Sequence, residues 1–315
     1  MKALVVGAAG FVGKHLVDHL LEIGWDVSAT QLGTESMSTR IPMYELDILE
    51  PHAISSVLSA TTPDFVFHLA AQSSVPVSWE QPGLTVDVNI KGGVNLLESI
   101  RVMQKPPRVL LIGSGEEYGS VAPNDIPIKE SIPLRPSNIY AATKVAQGLI
   151  GQIYSKAYDL EVIIIRAFNH VGPGQSDAFV LPNFSKQVAL IEAGIVEPVL
   201  RVGNLDAKRD FTDVRDIVRA YRLLAEKGIS GEIYNVGSGK AISINELSDM
   251  ILSLAKLHIS KQLDFHRLRP ADIPVYEADV SKLVMHTNWK PEIPMIKTLS
   301  DILDEWRGKV SNNDI

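Results

Sequence analysis

Tyr140 and Lys144 stand four residues apart in Tyr140-Ala141-Ala142-Thr143-Lys144, at the opening of a long helical pattern. Positions i and i+4 share a helix face, so this spacing sets an ammonium one turn from a phenol. A lysine so placed stabilises a phenolate and lowers the tyrosine pKa from about 10, which makes the phenol a usable general acid or base near neutral pH. A third group is expected at the carboxyl end of a strand. The run Val109-Leu110-Leu111-Ile112-Gly113-Ser114 ends on such a group, Ser114, whose hydroxyl can hydrogen-bond a reacting oxygen.

Upstream, Gly7-Ala8-Ala9-Gly10-Phe11-Val12-Gly13 lies between an apolar run and an amphipathic pattern. A sharp turn that brings backbone against a pyrophosphate needs residues without a bulky Cβ, and a helix N-terminus then offers free N–H groups to the phosphates. The loop therefore reads as a dinucleotide site, with Phe11 and Val12 contributing beside the three glycines, and Lys144 gains a second role on the nicotinamide ribose. An acid at the end of the second strand usually holds the ribose 2′-OH of NAD, but this chain has Thr30 and Gln31 there. Loss of that carboxylate favours NADP(H). NAD(H) stays open, because the candidates for the 2′-phosphate, Lys14 and Arg40, also read as ordinary surface charges.

The elements that must carry these groups alternate. Strand runs are expected at Lys2–Val6, Asp26–Thr30, Tyr44–Leu46, Phe65–His68, Arg108–Ile112 and Glu161–Ile165. Helical patterns fall at Phe11–Ile23, Thr85–Val102 and Tyr140–Tyr158. Strands apolar on both faces, alternating with helices, predict an α/β fold: a Rossmann-type parallel sheet with helices on both faces. After Asn169 the rhythm breaks at Gly172-Pro173-Gly174. Asp213–Glu226 and Asn245–Leu257 are expected helices, and Glu232–Val236 a strand returning to the main sheet. The expected division is a dinucleotide-binding domain over 1–168, rejoined by 212–237, and a smaller interleaved C-terminal domain over 169–315.

With 315 residues, 45% of them apolar, a full core can be buried, and a net charge of −7 argues against a nucleic-acid partner. No cysteine is present, which excludes disulfides, zinc thiolates and thiol nucleophiles; no metal site is expected. The first strand follows Met1 directly, without a leader pattern, and no apolar run is long enough to span a bilayer, so the expectation is a soluble, cytoplasmic protein with no membrane partner.

The longer glycine spacing resembles that of the extended short-chain dehydrogenase/reductases. Within them, Leu69-Ala70-Ala71-Gln72-Ser73-Ser74-Val75 through Trp79-Glu80-Gln81-Pro82, Arg166-Ala167-Phe168-Asn169-His170 and Val202-Gly203-Asn204-Leu205-Asp206-Ala207-Lys208-Arg209-Asp210 are similar to segments of the GDP-mannose 4,6-dehydratases and the related GDP-4-keto-6-deoxy-mannose reductases. The resemblance covers nearly the whole chain. It implies a GDP-linked sugar substrate. It adds Asp47, as the acid on the adenine, with Ile48, Leu69, Ala70 and Ala71 to the cofactor site. It assigns Gln72, Ser73, Ser114, Glu116, Asn169 and Val180 to the sugar nucleotide, Arg209 and Arg269 to its diphosphate, and Asp272 to its ribose. Guanidinium pairs well with phosphate, and a carboxylate accepts from ribose hydroxyls. A homodimer through a four-helix interface is implied as well.

Two departures favour reduction over dehydration. The dehydratases carry Thr-Ser-Glu or Thr-Asp-Glu where this chain has Ser114-Gly115-Glu116, so Gly115 offers no donor to a departing 6-hydroxyl. Their long basic loop corresponds to the short segment Leu32 to Ile41, which contains only Arg40. The basic residue of their base pocket corresponds to Asn183. The expected activity is NADPH-dependent reduction of the C4 ketone of GDP-4-keto-6-deoxy-D-mannose, giving a GDP-D-rhamnose-type product. Glu116 keeps a dehydratase open, other nucleotide-sugar epimerases or reductases remain alternatives, and a non-catalytic dinucleotide sensor is the reading from another class.

Overall fold

Hydrophobic runs too short for helices pair side by side in the computed structural model, which describes residues 1–33, 41–267 and 273–314. Strands β1 (Lys2–Val6), β2 (Asp26–Gln31), β3 (Met43–Glu45), β4 (Phe65–His68), β5 (Arg108–Ser114) and β6 (Val162–Ala167) alternate with helices α1 (Phe11–Glu22), α2 (Pro51–Thr61), α3 (Val75–Glu80), α4 (Pro82–Val86), α5 (Gly92–Arg101) and α6 (Ile139–Tyr158). Farther along lie β7 (Asn169–Val171), α7 (Val180–Glu192), β8 (Val199–Val202), β9 (Lys208–Asp213), α8 (Val214–Lys227), β10 (Ile233–Val236), β11 (Ala241–Ser243) and α9 (Ile244–Ser253). The chain closes with β12 (Ser260–Leu263), β13 (Val275–Tyr276), α10 (Ser281–Thr287) and α11 (Met295–Ser311).

The main sheet runs β10-β6-β5-β4-β1-β2-β3, all parallel. Its strand order reverses between β1 and β4, and in such sheets ligands bind outside the carboxyl ends at that point. On one face α1 and α8 pack through Leu16, Val17, Leu20, Ile217, Tyr221 and Leu224; on the other α2 and α5 pack through Ile54, Leu58, Leu96 and Leu97. A separate core joins α7, α9 and α11 around Phe184, Leu247 and Trp306. In that half β11, β9 and β13 form a small sheet, β7 pairs with β9, and β8 pairs with β12.

The helix expected over Thr85–Val102 is not continuous. It consists of α4, a π-helical stretch Asp87–Lys91, and α5. The widened turn carries Asn89, a buried side chain that donates from Nδ2 to Thr143 Oγ1 at 2.9 Å and to the Gln72 carbonyl at 3.0 Å. An inserted turn of this kind re-aims one side chain without ending the helix. Glycine follows because a Cβ at Gly92 would stand 2.5 Å from Ile48 Cδ1. Among the described residues no helix is long and apolar enough to cross a membrane.

Candidate active site

The glycine loop leaves β1 at the reversal of strand order. Gly7 adopts φ +85°, and a Cβ there would meet Ala70 N at 2.6 Å. Gly13 is crowded too, since its Cβ would fall 2.5 Å from the Ala8 carbonyl oxygen. Both glycines are thus demanded by the fold. Gly10 is not: its backbone is extended, and the nearest atom to a Cβ is Gly7 O at 3.6 Å. It is exposed at the N-terminus of α1 with no side-chain cap, so its smallness serves something outside the chain. Thr30, buried at the end of β2, accepts from Gly7 N at 3.1 Å and takes the Ala8 N–H on its carbonyl. Leu69 and Ala70, past β4, both donate to the Val6 carbonyl at 2.9 Å, which closes the floor of the cleft. Free helix N–H groups beside an unneeded glycine fit a dinucleotide pyrophosphate.

Along the rim, Lys14 is exposed on the first turn of α1. Asp47 is also exposed and accepts from Leu49 N at 2.9 Å, which holds its own turn, while Ile48 is buried. Gln72 points inward: its side chain donates to Thr85 Oγ1 at 2.9 Å and accepts from Ser74 N at 2.6 Å, so the loop itself uses it. Ala71 is half-buried and Ser73 exposed. Arg40, Arg269 and Asp272 lie outside the described residues.

Ser114, Tyr140 and Lys144 come together. Ser114 ends β5, and its Oγ accepts from Glu116 N at 3.2 Å. Burial pushes the Tyr140 phenol above its ordinary range, a side-chain hydrogen bond with Ser114 opposes this, and Glu116 and Glu117 push it up further. The expected lowering by Lys144 is not found. The ammonium lies over the tyrosine ring, 6.0 Å from its centroid, and donates to Ile112 O at 2.8 Å and Gln147 Oε1 at 3.2 Å. Its charge is therefore spent away from the hydroxyl. Desolvation brings Lys144 itself down to about 8, with Glu117 opposing. Tyr140 is consequently protonated at neutral pH, the state a proton donor needs.

Behind this edge lies a charged network that the sequence reading did not single out. Glu117 accepts from Ser114 N at 2.8 Å and pairs with Arg166 at 2.9 Å, both fully interior. Burial raises the Glu117 carboxyl, and Arg166 pulls it back. Arg166 also donates to Tyr118 OH at 3.0 Å, and Tyr118 donates to Asn235 Oδ1 at 2.7 Å. Glu116 is exposed and takes a hydrogen bond from Asn138 Nδ2 at 2.8 Å, while Asn138 Oδ1 caps α6 through Ala141 N.

In the C-terminal half, Asn169 is exposed on β7, Val180 opens α7, and Arg209 lies on β9. Arg209 donates to Ile273 O at 2.6 Å and Lys208 O at 2.9 Å. Asp210 is taken by Ser238, Gly239 and Ala278, and Asp213 by Arg215 and Thr298, so neither acid is the partner of these guanidinium bonds. Tyr276, in register with Arg209, donates to the Gly115 carbonyl. A cavity of about 500 Å³ beside β8 is lined by Val202, Gly203, Leu205, Lys261 and Leu263. Arg267 donates to Asn183 Oδ1 at 2.9 Å, so a guanidinium from another part of the chain stands where the resemblance called for a basic residue. That pairing spans 84 positions and left no local signal.

The model of the GDP-mannose 4,6 dehydratase family matches residues 4–302. The chain belongs to that family. Among its relatives, the GDP-6-deoxy-D-mannose reductase of Pseudomonas aeruginosa is 34% identical, over 98% of each chain. The structure of RMD from Pseudomonas aeruginosa complexed with NADPH superposes with a TM-score of 0.88 at 33% identity, covering 98% of this chain and 99% of that one. UDP-glucose 4-epimerase of Thermus thermophilus, in complex with NAD, follows at 0.85 and 29%, covering 98% and 99%. As a member of this family the chain is an oxidoreductase with a Rossmann-type fold.

The two kinds of glycine separate in one experiment. Gly13→Val is expected to unfold the protein, because the clash is with backbone. Gly10→Val is expected to keep the melting temperature but weaken NADPH binding by roughly two orders of magnitude, through a blocked close approach. Fluorescence titration and thermal melts read both. Unchanged NADPH affinity in Gly10→Val would remove the loop from the cofactor site.

Proposed function

We propose that this chain reduces the C4 ketone of GDP-4-keto-6-deoxy-D-mannose with NADPH, giving a GDP-6-deoxyhexose of the GDP-D-rhamnose type. Bound NADPH supplies the hydride. The rest falls to the chain. Tyr140 gives its proton to the developing C4 alkoxide, Ser114 shares that oxygen's charge, and Lys144 steadies the ribose and Tyr140. In this reading Gly7, Gly10, Phe11, Val12, Gly13, Asp47, Ile48, Leu69, Ala70 and Ala71 serve the cofactor; Ser73, Asn169, Val180 and Arg209 serve the sugar nucleotide, Gln72 holds their loop through Thr85 and Ser74, and the family resemblance adds Arg269 and Asp272. The unit over 1–168, rejoined by 212–237, carries the cofactor, and the smaller one over 169–315 the nucleotide. The proposed enzyme works in the cytoplasm.

Gly115 carries the choice of reaction. Its position lacks a side chain able to protonate a leaving hydroxyl, and the chain does not demand a glycine there: a Cβ would make contacts of 3.4 Å with Ala167 O and Phe168. The full-length likeness to a GDP-6-deoxy-D-mannose reductase supports the same reading. Incubation with freshly made GDP-4-keto-6-deoxy-D-mannose should consume one NADPH per sugar and yield the deoxyhexose by NMR. No NADPH loss would overturn the proposal.

The enzyme acts as a homodimer. Leu149 and Ile153, one turn apart on α6, are 52% and 59% exposed, and Leu84 and Val86 on α4 are also exposed. Apolar stripes on two neighbouring helices suit a two-fold four-helix contact. Light scattering should give a two-chain mass, and Leu149→Glu with Ile153→Lys should give one chain. A monomeric parent protein at micromolar concentration would refute the interface.

A further inference from the structure

Two buried polar side chains beneath Lys144 have no part in the chemistry described above. His68 closes β4 fully buried, and neither ring nitrogen has a hydrogen-bond partner among the described residues. Gln147 lies one turn past Lys144 on α6 and is 3% exposed. Its Oε1 accepts from Lys144 Nζ at 3.2 Å, while its Nε2 has no partner among the described residues. The two side chains meet at Gly93 in α5. A Cβ at Gly93 would stand 3.5 Å from Gln147 Nε2 and 3.8 Å from His68 Nε2; with Gln147 Cγ at 3.7 Å, these are its three nearest atoms.

Buried polar atoms rarely go unpaired, and an internal water joins them where space is shared. Here two such atoms lie within 4 Å of the point where a Gly93 side chain would begin. Desolvation, helped by the Lys144 charge, holds the His68 imidazole neutral, with its pKa near 3, so one ring nitrogen is an acceptor. We infer that a water molecule bound beside Gly93 bridges Gln147 Nε2 and His68 Nε2, making His68 and Gln147 positioning residues for the catalytic Lys144. The water accepts from the Gln147 amide and donates to His68. That fixes the amide with its oxygen, not its NH2 group, toward the ammonium. A flipped amide would set a donor against a positive charge. The inference rests on the reading of Lys144 as a working residue of the proposed reductase.

Gly93→Ala puts a methyl group where the water sits, at ordinary contact distance and in a helix that favours alanine. A high-resolution crystal structure of the ligand-free parent protein should show a water within hydrogen-bond reach of both nitrogens, and none in Gly93→Ala. The titratable groups facing Lys144 are Glu117, His68 and Tyr140. With the Gln147 oxygen no longer held, the ammonium loses an acceptor and its pKa falls below about 8. In Gly93→Ala and His68→Leu the alkaline limb of NADPH binding and of kcat should therefore move to lower pH by about half a unit to one unit. Turnover should fall about 5- to 10-fold with KM for the sugar little changed, and His68→Gln should restore part of it. A parent structure without that water, or a Gly93→Ala variant with unchanged limb and kcat, overturns the inference. The water and the NADPH limb are read without the sugar, so failure of the reductase reading shows separately in the sugar assay.

Discussion

Tyr140→Phe is expected to lower kcat by on the order of 10²–10⁴-fold, the usual worth of a positioned general acid. The phenol is held protonated by burial and bonded to Ser114, and its removal leaves the C4 alkoxide with no donor on that side. Phe keeps the ring beneath the Lys144 ammonium, so the fold and NADPH affinity should survive. Steady-state NADPH consumption measures the first effect and a fluorescence titration the second. Turnover near the parent rate would show that the proton comes from elsewhere.

GDP-mannose should bind and yet give little 4-keto product. In the proposed site Arg209 takes the diphosphate, which GDP-mannose and the keto sugar share. Dehydration, however, needs a base at C5 and an acid at the 6-hydroxyl. Glu116 is exposed beside Ser114 and can serve as the base, but Gly115 leaves the hydroxyl without a donor. Acid assistance is worth about 10²–10⁴ in rate, so conversion should be slower than in a dehydratase by roughly that factor. Enzyme with catalytic NADP and GDP-mannose, followed by mass spectrometry for loss of water, decides it. Rapid formation of the keto sugar would make this chain a dehydratase.

Local pattern carried the elements around the chemistry. Phe65–His68 is uniformly apolar up to its histidine, and the Tyr140 helix keeps its period for five turns, so both were legible as written. Ser114 at the carboxyl edge followed from the length of its apolar run. Long-range demands were hidden. The π-helical turn exists because Asn89 must reach Gln72 and Thr143, partners 17 and 54 positions away. β7 is a three-residue strand made by its pairing with β9, and α7 carries Pro182 within its first turn. The Tyr140–Lys144 spacing correctly placed two groups on one face, but spacing alone did not show that Ile112 and Gln147 would claim the ammonium. Arg267 reaches Asn183 from a distance that no motif spans.

The hydrogen bond from Tyr276 to the Gly115 carbonyl has a mechanical meaning. Tyr276 sits on β13, in register with Arg209, so the strand beside Arg209 is fastened to the turn that follows Ser114. In the proposed reductase, Arg209 on the nucleotide and Ser114 on the reacting oxygen would therefore be mechanically linked through Tyr276. On that reading, contacts on the phosphate side that never approach C4 would still set the angle at which the ketone meets Ser114 and Tyr140, and the GDP group would serve as a handle for alignment as well as for capture.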